Sequence, residues 1–521
     1  MINAFKMLVV VMTLAGRAEA KRPNIVYIMS DDQDWRHFAF MGGDVHTPNL
    51  DRMVDQGLWM TEFHVTSTVC SPSRYSLLTG RYAGRCEGDS FMRLHPEGTQ
   101  TQVENVCELE LDRWNVAKVL RMHGYKTGFV GKSHLVKHDW LKRDKWKAYG
   151  FEEYAQDANP CDPVVTEKMQ RNHQRWCDEI AQHGFDYVDG VYAANLRELF
   201  NDASKVHNLD WNVSKALEFL DTYQKEPFFL YFATTLEHGP DPRKLDYSVD
   251  ADPRISGEGY LPELLDVLPS RNDVKRRNKA AGKAPGQACY LWLDDGVGAI
   301  LEKLDELGLE EDTLVIFSPD HGYFRYGKST LYDYGMRVPM LMQWKGKIKP
   351  GSRYDELAAN IDMAPTLLDI AGIEPPADYN MDGVSLKKMI LGESLEPVRE
   401  FLFSEMGHAR AVKSKDWKYI AICYPDEVQR RIARGETFPN YNDNPRLDKP
   451  YLTRNTHLGY YSASVNPNYF DADQLYNLKE DRAEDHNVFK QNPEVAVKMQ
   501  KALKQELARF PNRPFGDFAE R

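Results

Sequence analysis

The chain has 521 residues, a formal net charge of −12, and an apolar fraction of 42% that includes 12% aromatic residues. That size allows roughly two to four domains, or one large α/β domain with a substantial core, and no apolar run is long enough to span a bilayer. The acidic balance excludes a general nucleic-acid binder, whose footprint is basic, but not an anionic substrate, because a few convergent Lys and Arg create a local positive pocket.

Residues 1–20 read as an export signal. Lys6 supplies the positive start, Met7 to Ala15 a short apolar stretch, and Ala18-Glu19-Ala20 a small-x-small cleavage site. The mature chain is expected to begin near Lys21 outside the cytoplasm: periplasmic or secreted, or secretory and lysosomal in a eukaryotic host. Seven cysteines (Cys70, Cys86, Cys107, Cys161, Cys177, Cys289 and Cys423) suit a compartment in which some pair. Cys86 with Cys107 and Cys161 with Cys177 are the nearest candidates, and the odd count leaves at least one unpaired.

Four apolar runs read as buried strands: Asn24 to Met29, Tyr125 to Val130, Phe228 to Ala233 and Thr313 to Phe317. Each leads into polar residues: Ser30-Asp31-Asp32, Gly131-Lys132-Ser133-His134, Glu237-His238 and Asp320-His321. Between them, Val116, Val119 and Leu120 form a helical stripe before Gly124, and Val297, Ile300, Leu301 and Leu304 form another that ends at Gly308. This alternation predicts a mostly parallel α/β sheet, and in such sheets ligands gather beyond the carboxyl ends of the strands. All four polar clusters fall there.

From about residue 396 the texture changes. Phe401 to Phe403, Trp417 to Ile422 and Gln474 to Leu478 read as strands of a smaller sheet, followed by a charged helix from about Pro493 to Phe510. The expected division is a signal peptide at 1–20, a large domain at 21–395 and a smaller α+β subdomain at 396–521. Within the last, Tyr424 to Asn468 reads as a long ordered loop of the functional kind.

The sharpest motif is Cys70-Ser71-Pro72-Ser73-Arg74, followed by Leu78-Thr79-Gly80-Arg81. It resembles the signature of the type I, formylglycine-dependent sulfatases of the alkaline phosphatase superfamily, C-x-P-x-R with a downstream T-G-R. By that resemblance Cys70 is oxidised to formylglycine by a formylglycine-generating enzyme or an equivalent maturase. The hydrated aldehyde carries two hydroxyls on one carbon. One can attack sulfur, and the other can lose its proton to eject sulfate, whereas a serine would leave a stable ester. Pro72 suits a first helical turn, so Cys70 is expected at a helix N-terminus, where backbone N–H groups favour anions.

Asp31, Asp32 and Asp320 can meet above the sheet, and carboxylates that close repel unless a cation lies among them. Hard oxygen ligands favour Ca²⁺ or Mg²⁺. The resemblance points to calcium, with Asp31, Asp32, Cys70, Asp320 and His321 as its ligands; imidazole at His321 is the softer one.

The resemblance also assigns the cations. Lys132 and His134 match G-K-x-H-L, His238 matches a histidine near a P-H-x-P turn, and Lys328 matches the lysine between D-H-G and Arg337-Val338-Pro339. It implies that Arg74 and Lys132 hold nucleophile and sulfate, and that Lys328 contacts sulfate and bridging oxygen. His238 protonates the leaving alcohol, and His134 assists breakdown of the intermediate. Fixed positive groups suit a transition state in which charge shifts to the leaving oxygen.

The resemblance thus predicts an alkaline-phosphatase-like α/β fold that hydrolyses sulfate monoesters, with a sulfated carbohydrate as substrate. Two alternatives stay open at this point: a phosphonate or phosphate ester hydrolase of the same superfamily, and a non-catalytic sulfoglycan-binding protein. Arg271, Lys275, Arg276 and Arg277 read as a solvated loop, with a groove for a sulfated polymer as the alternative. Asn212-Val213-Ser214 is a glycosylation sequon, Thr47-Pro48-Asn49-Leu50 is a structural turn, and nothing in the spacing of Asp44 and His46 makes them ligands.

Overall fold

The computed structural model describes residues 21–322, 327–424, 466–469 and 471–518, with Asp426, Arg430 and Arg434. The expected export signal and most of the Tyr424 to Asn468 loop lie outside the described residues.

Eight strands form the main sheet: β1 (Asn24–Ser30), β2 (Leu58–Met60), β3 (Lys126–Lys132), β4 (Tyr187–Tyr192), β5 (Phe228–Ala233), β6 (Thr313–Pro319), β7 (Met340–Gln343) and β8 (Ser352–Tyr354), in the order β8-β2-β7-β6-β1-β5-β3-β4. From β6 to β4 the strands are parallel, with β1 at the centre; β7 runs antiparallel to both β6 and β2. The sheet is therefore mixed at one side and parallel where the polar clusters emerge. The register sets their height, because Met29 of β1 pairs with Ala233 of β5 and Ser318 of β6.

Alternation along β1 shows the layering. Ile25, Tyr27 and Met29 enter one apolar cluster, with helices α2 (Cys70–Thr79), α3 (Val116–Met122), α4 (Pro163–Ala181) and α8 (Met363–Ile370). Val26 and Ile28 enter the other, with α1 (Pro48–Gln56), α5 (Leu209–Tyr223), α6 (Arg271–Ala280) and α7 (Ala288–Glu306). This is the expected sheet between helical layers. The expected Thr47-Pro48 turn is the entry to α1, with Pro48 in its first turn.

Two expectations, the solvated basic loop and the cysteine pairing, are corrected, and the sequon asparagine is found buried. The basic residues from Arg271 to Arg277 lie on α6, not in a solvated loop, and each has a carboxylate: Asp210 for Arg271, Asp250 for Lys275, Asp273 for Arg276, and Asp273 with Asp295 for Arg277. Asn212 is buried on α5 and donates to the Gly190 carbonyl at 2.7 Å, so the sequon is closed in the folded chain. All seven cysteines are free; Cys86 and Cys107 are both buried, and Cys161 is exposed while Cys177 is buried.

A second, antiparallel sheet holds β9 (Leu402–Met406), β10 (Ala409–Lys413), β11 (Trp417–Ile422) and β12 (Asp473–Asn477). One face packs Phe403, Val412 and Tyr419 against α9 (Pro493–Leu507) through Met499 and Leu503. The other packs Ala411, Ile420 and Tyr476 on Leu331, Tyr332 and Met336, and on Val69.

A buried charge cluster fastens that contact. Lys413 Nζ lies 2.7 Å from Asp333 Oδ2; Lys418 Nζ lies 2.6 Å from Asp333 Oδ1 and 2.7 Å from Glu484 Oε1. Burial alone would raise the Asp333 carboxyl, but Lys413 and Lys418 outweigh it and hold it well below the usual carboxylate range. Removing one partner strands buried charge on the other, so Asp333→Ala should cost about 3–5 kcal/mol, read as a fall in the urea midpoint. A loss below about 1 kcal/mol would mean the cluster is not a fastening.

Candidate active site

The site lies where the carboxyl ends of β1, β3, β5 and β6 converge with the first turn of α2. Asp31 and Asp32 follow β1, Lys132 closes β3 with His134 just beyond, His238 follows β5, and Asp320 and His321 follow β6. Asp32 (φ 57°), His134 (φ 54°) and Ser329 (φ 67°) occupy the left-handed region that non-glycine residues rarely adopt, so backbone strain gathers here. Gly131 is required at its position: a Cβ would lie 1.9 Å from the Ala233 carbonyl oxygen.

Helix α2 is buried along its whole length. Extended Val69 precedes it, Cys70 is its first residue, and Gly80 closes it in the left-handed conformation by donating to the Ser76 carbonyl. Arg74, one turn on, points into the site. Its Nε and Nη2 each lie 3.0 Å from Asp320 Oδ2, its Nη1 donates to the Lys132 carbonyl at 3.1 Å, and its Nη2 is 3.7 Å from Asp31 Oδ2. One guanidinium thus ties α2 to the ends of three strands.

The Cys70 sulfur is the point on which the surrounding side chains converge. It lies 3.4 Å from Lys132 Nζ, 3.6 Å from His321 Nε2, 3.7 Å from Asp31 Oδ1 and 3.8 Å from Lys328 Nζ. Burial alone would push the thiol up, but Lys132 and Lys328 outweigh it, and the thiol falls well below its usual value. Every candidate residue from the sequence is therefore gathered around Cys70, including Lys328, whose Nζ is 2.8 and 3.1 Å from the two Asp32 oxygens.

The acidic groups answer the question of a cation. Ligand atoms of Asp31, Cys70, Asp320 and His321 lie within 4.8 Å of one another, all buried. Asp31, hydrogen-bonded by Lys132, is brought down to about 2: burial opposes ionisation and Lys132 overcomes it. Asp320 is instead raised to about 6 by burial and by Asp31, which the positive charge of His321 and Arg74 only partly offsets. His321 supplies some: burial would lower it, but Asp320 outweighs that and lifts it to about 9. So charged, the ring donates from both nitrogens, Nδ1 to the Gly322 carbonyl at 2.8 Å and Nε2 toward Asp32; as a metal ligand it would be neutral, with Nδ1 still held and the Nε2 lone pair on the cation. In this donor set the Asp31 and Asp320 oxygens suit a hard divalent cation, and His321 Nε2 and the Cys70 sulfur are the softer members. Asp32 stands at the edge of it, Oδ1 3.2 Å from His321 Nε2, with Lys328 on its other side.

His238 is the site's more open histidine, its side chain 17% exposed. Its Nδ1 donates to the Gly239 carbonyl at 3.1 Å, and Nε2 lies 3.9 Å from Asp32 Oδ2. His134 is held by a residue that sequence reasoning missed. The Asn105 Oδ1 accepts the Ser71 backbone N–H at 2.8 Å, which leaves its Nδ2 to face His134 Nε2 at 3.2 Å. Asn105 sits in no motif, and no signal in the sequence singles it out. Gln33 and Glu237, 3.0 Å apart, likewise join the loops after β1 and β5.

Comparison with known proteins matches this geometry to a family. The sulfatase family model covers residues 23–373, and the model for the C-terminal part of N-sulphoglucosamine sulphohydrolase covers 319–428. Arylsulfatase A of Bos taurus is 28% identical, over 94% of this chain and 88% of its own. N-acetylgalactosamine-6-O-sulfatase of Bacteroides thetaiotaomicron is 25% identical, over 93% of each chain. A solved Bacteroides thetaiotaomicron chain from the metabolism of multiple glycosaminoglycans shares the fold at a TM-score of 0.60, with 22% identity over 93% of this chain and 99% of its own. The chain belongs to the sulfatase family and is a sulfuric ester hydrolase.

Proposed function

We propose that this enzyme hydrolyses sulfate monoesters on a sulfated carbohydrate, with a nucleophile made from Cys70 and with bound calcium. The observation that carries the reading is Cys70 itself: a buried thiol at a helix start, 3.4 Å from Lys132 and 3.8 Å from Lys328, with a cation-binding donor set on its other side. The sulfated-sugar substrate is drawn from relatives named for sulfated amino sugars.

Hydrated formylglycine at Cys70 would supply a hydroxyl to attack sulfur and a second to expel sulfate once its proton leaves. Calcium held by Asp31, Asp32, Asp320 and His321 would supply positive charge beside the sulfate oxygens and lower the pKa of the attacking hydroxyl. Arg74 fixes α2 and the Asp320 carboxylate, so the nucleophile is aimed before substrate arrives. Lys132 and Lys328 face the transferring group, and their charge counts for most as negative charge moves to the bridging oxygen. His238, the more open histidine, would protonate the leaving alcohol, and His134 would assist breakdown of the intermediate.

The catalytic unit is proposed as residues 21–395, with 396–521 as the subdomain that braces the Lys328 to Asp333 segment. Export by residues 1–20 and modification by a maturase complete the reading.

Two variants test it. Cys70→Ala should lose at least about 10³-fold in sulfate release, the scale of a removed nucleophile, while keeping the parent's thermal midpoint. Appreciable turnover in that variant would contradict the reading. His238→Ala should cost about 10²–10³-fold on a sugar sulfate and within about tenfold on nitrophenyl sulfate, whose leaving group needs no proton. Equal losses on the two substrates would remove His238 from the role of acid.

A further inference from the structure

Several arginines around the site come with their own carboxylates. Arg36 pairs with Asp34, Arg243 lies 2.8 Å from Asp241, and Arg271 lies 2.8 Å from Asp210. Arg197 differs. It is exposed, and among the described residues it has no hydrogen bond, ion pair or ring partner. Its guanidinium lies beside the turn that carries His238, with Cζ and Nε 3.0 Å and Nη2 3.1 Å from where a Cβ on Gly239 would stand. A side chain at Gly239 would push it away.

Both walls of this contact are fixed. Asn195 and Glu198 cap the short helix Leu196–Glu198: the Asn195 backbone N–H donates to Glu198 Oε2 at 3.2 Å, and its Nδ2 to Oε1 at 3.3 Å. Glu198 Oε2 also lies 3.9 Å from His134 Nε2. Opposite, buried His207 donates from Nε2 to the Pro240 carbonyl at 3.0 Å, and its Nδ1 accepts from the Thr235 hydroxyl at 2.8 Å. Arg197 is thus an uncompensated cation held on a rigid mount, beside the histidine at the mouth and on an acidic protein.

A leaving sugar whose oxygen meets His238 would lay a neighbouring substituent along Gly239, within reach of that guanidinium. We propose that Arg197 reads a second anionic group, a carboxylate or a second sulfate, on the carbohydrate that carries the scissile ester. A planar fork of N–H donors suits either anion and pairs with it bidentately. The inference rests on the sulfated-carbohydrate reading above and narrows it to a substrate with more than one negative charge.

The test measures binding to Cys70→Ala protein by calorimetry, so that it does not depend on turnover. Three disaccharides share the sulfated sugar and differ in carrying a uronate carboxylate, a second sulfate or a neutral hydroxyl at the neighbouring position. The Arg197-bearing protein should prefer a charged member over the neutral one, and the preferred member tells carboxylate from sulfate. Arg197→Ala should cut that preference by about tenfold, and Arg197→Lys should restore part of it. The inference is overturned if neither charged disaccharide is preferred, or if Arg197→Ala leaves the preference unchanged. Sulfate release from nitrophenyl sulfate by the parent enzyme checks the underlying reading separately.

Discussion

The site depends on the buried guanidinium of Arg74. A charge with no exposure to water costs several kcal/mol to bury and persists only where the fold supplies partners. Here the partners come from three strand ends: Asp320 beyond β6, the Lys132 carbonyl at the end of β3, and Asp31 beyond β1. Burial works against the Arg74 cation, and Asp320 with its neighbours more than restores it. If any one of these strands shifted in register, the guanidinium would lose a partner it cannot replace with water. The parallel core of the sheet and the position of Cys70 on α2 are in this sense one constraint.

A second constraint comes from the C-terminal sheet. The segment that bears Lys328 is held near Cys70, because Ser329 donates to the Thr68 carbonyl at 3.0 Å and Thr68 Oγ1 donates to the Thr330 carbonyl at 2.6 Å. Farther along it is clamped by Lys413, Lys418 and Glu484 through Asp333. Lys328 has to be buried yet charged. Burial alone would neutralise it, but Asp32 keeps it protonated, so its geometry needs support from both sides. The smaller sheet is thus part of how the larger one holds Lys328 beside Cys70.

Much of this was legible in the sequence because the chemistry sits at strand ends. Val26, Ile28, Phe229, Phe232 and Leu314 to Phe317 are all buried, on both faces of the sheet, so their runs are continuously apolar and stop where Asp31, His238 and Asp320 begin. β4 shows no apolar run because it lies at the sheet edge, where Asp189 and Gly190 interrupt Tyr-Val-Asp-Gly-Val-Tyr and Tyr187 and Val188 are only half-buried. The three-residue strands β2 and β8 are too short for any period to show. Asn105 and Arg197 left no signal for a different reason. Their roles arise from contacts across the fold, with Ser71 and His134 for one and with Gly239 for the other. The helix at Arg271–Ala280 was hidden by its charge, which is neutralised by Asp210, Asp250 and Asp295 from elsewhere in the chain.

The central claim is that catalysis runs through a modified Cys70 and not through its thiol. The most direct measurement sets sulfate release against the fraction of Cys70 converted to formylglycine, read by peptide mass spectrometry across preparations made with graded amounts of maturase. The expected rate is proportional to the converted fraction and extrapolates to zero for unmodified cysteine. A rate independent of that fraction, or full activity in protein whose Cys70 is entirely thiol, would contradict it.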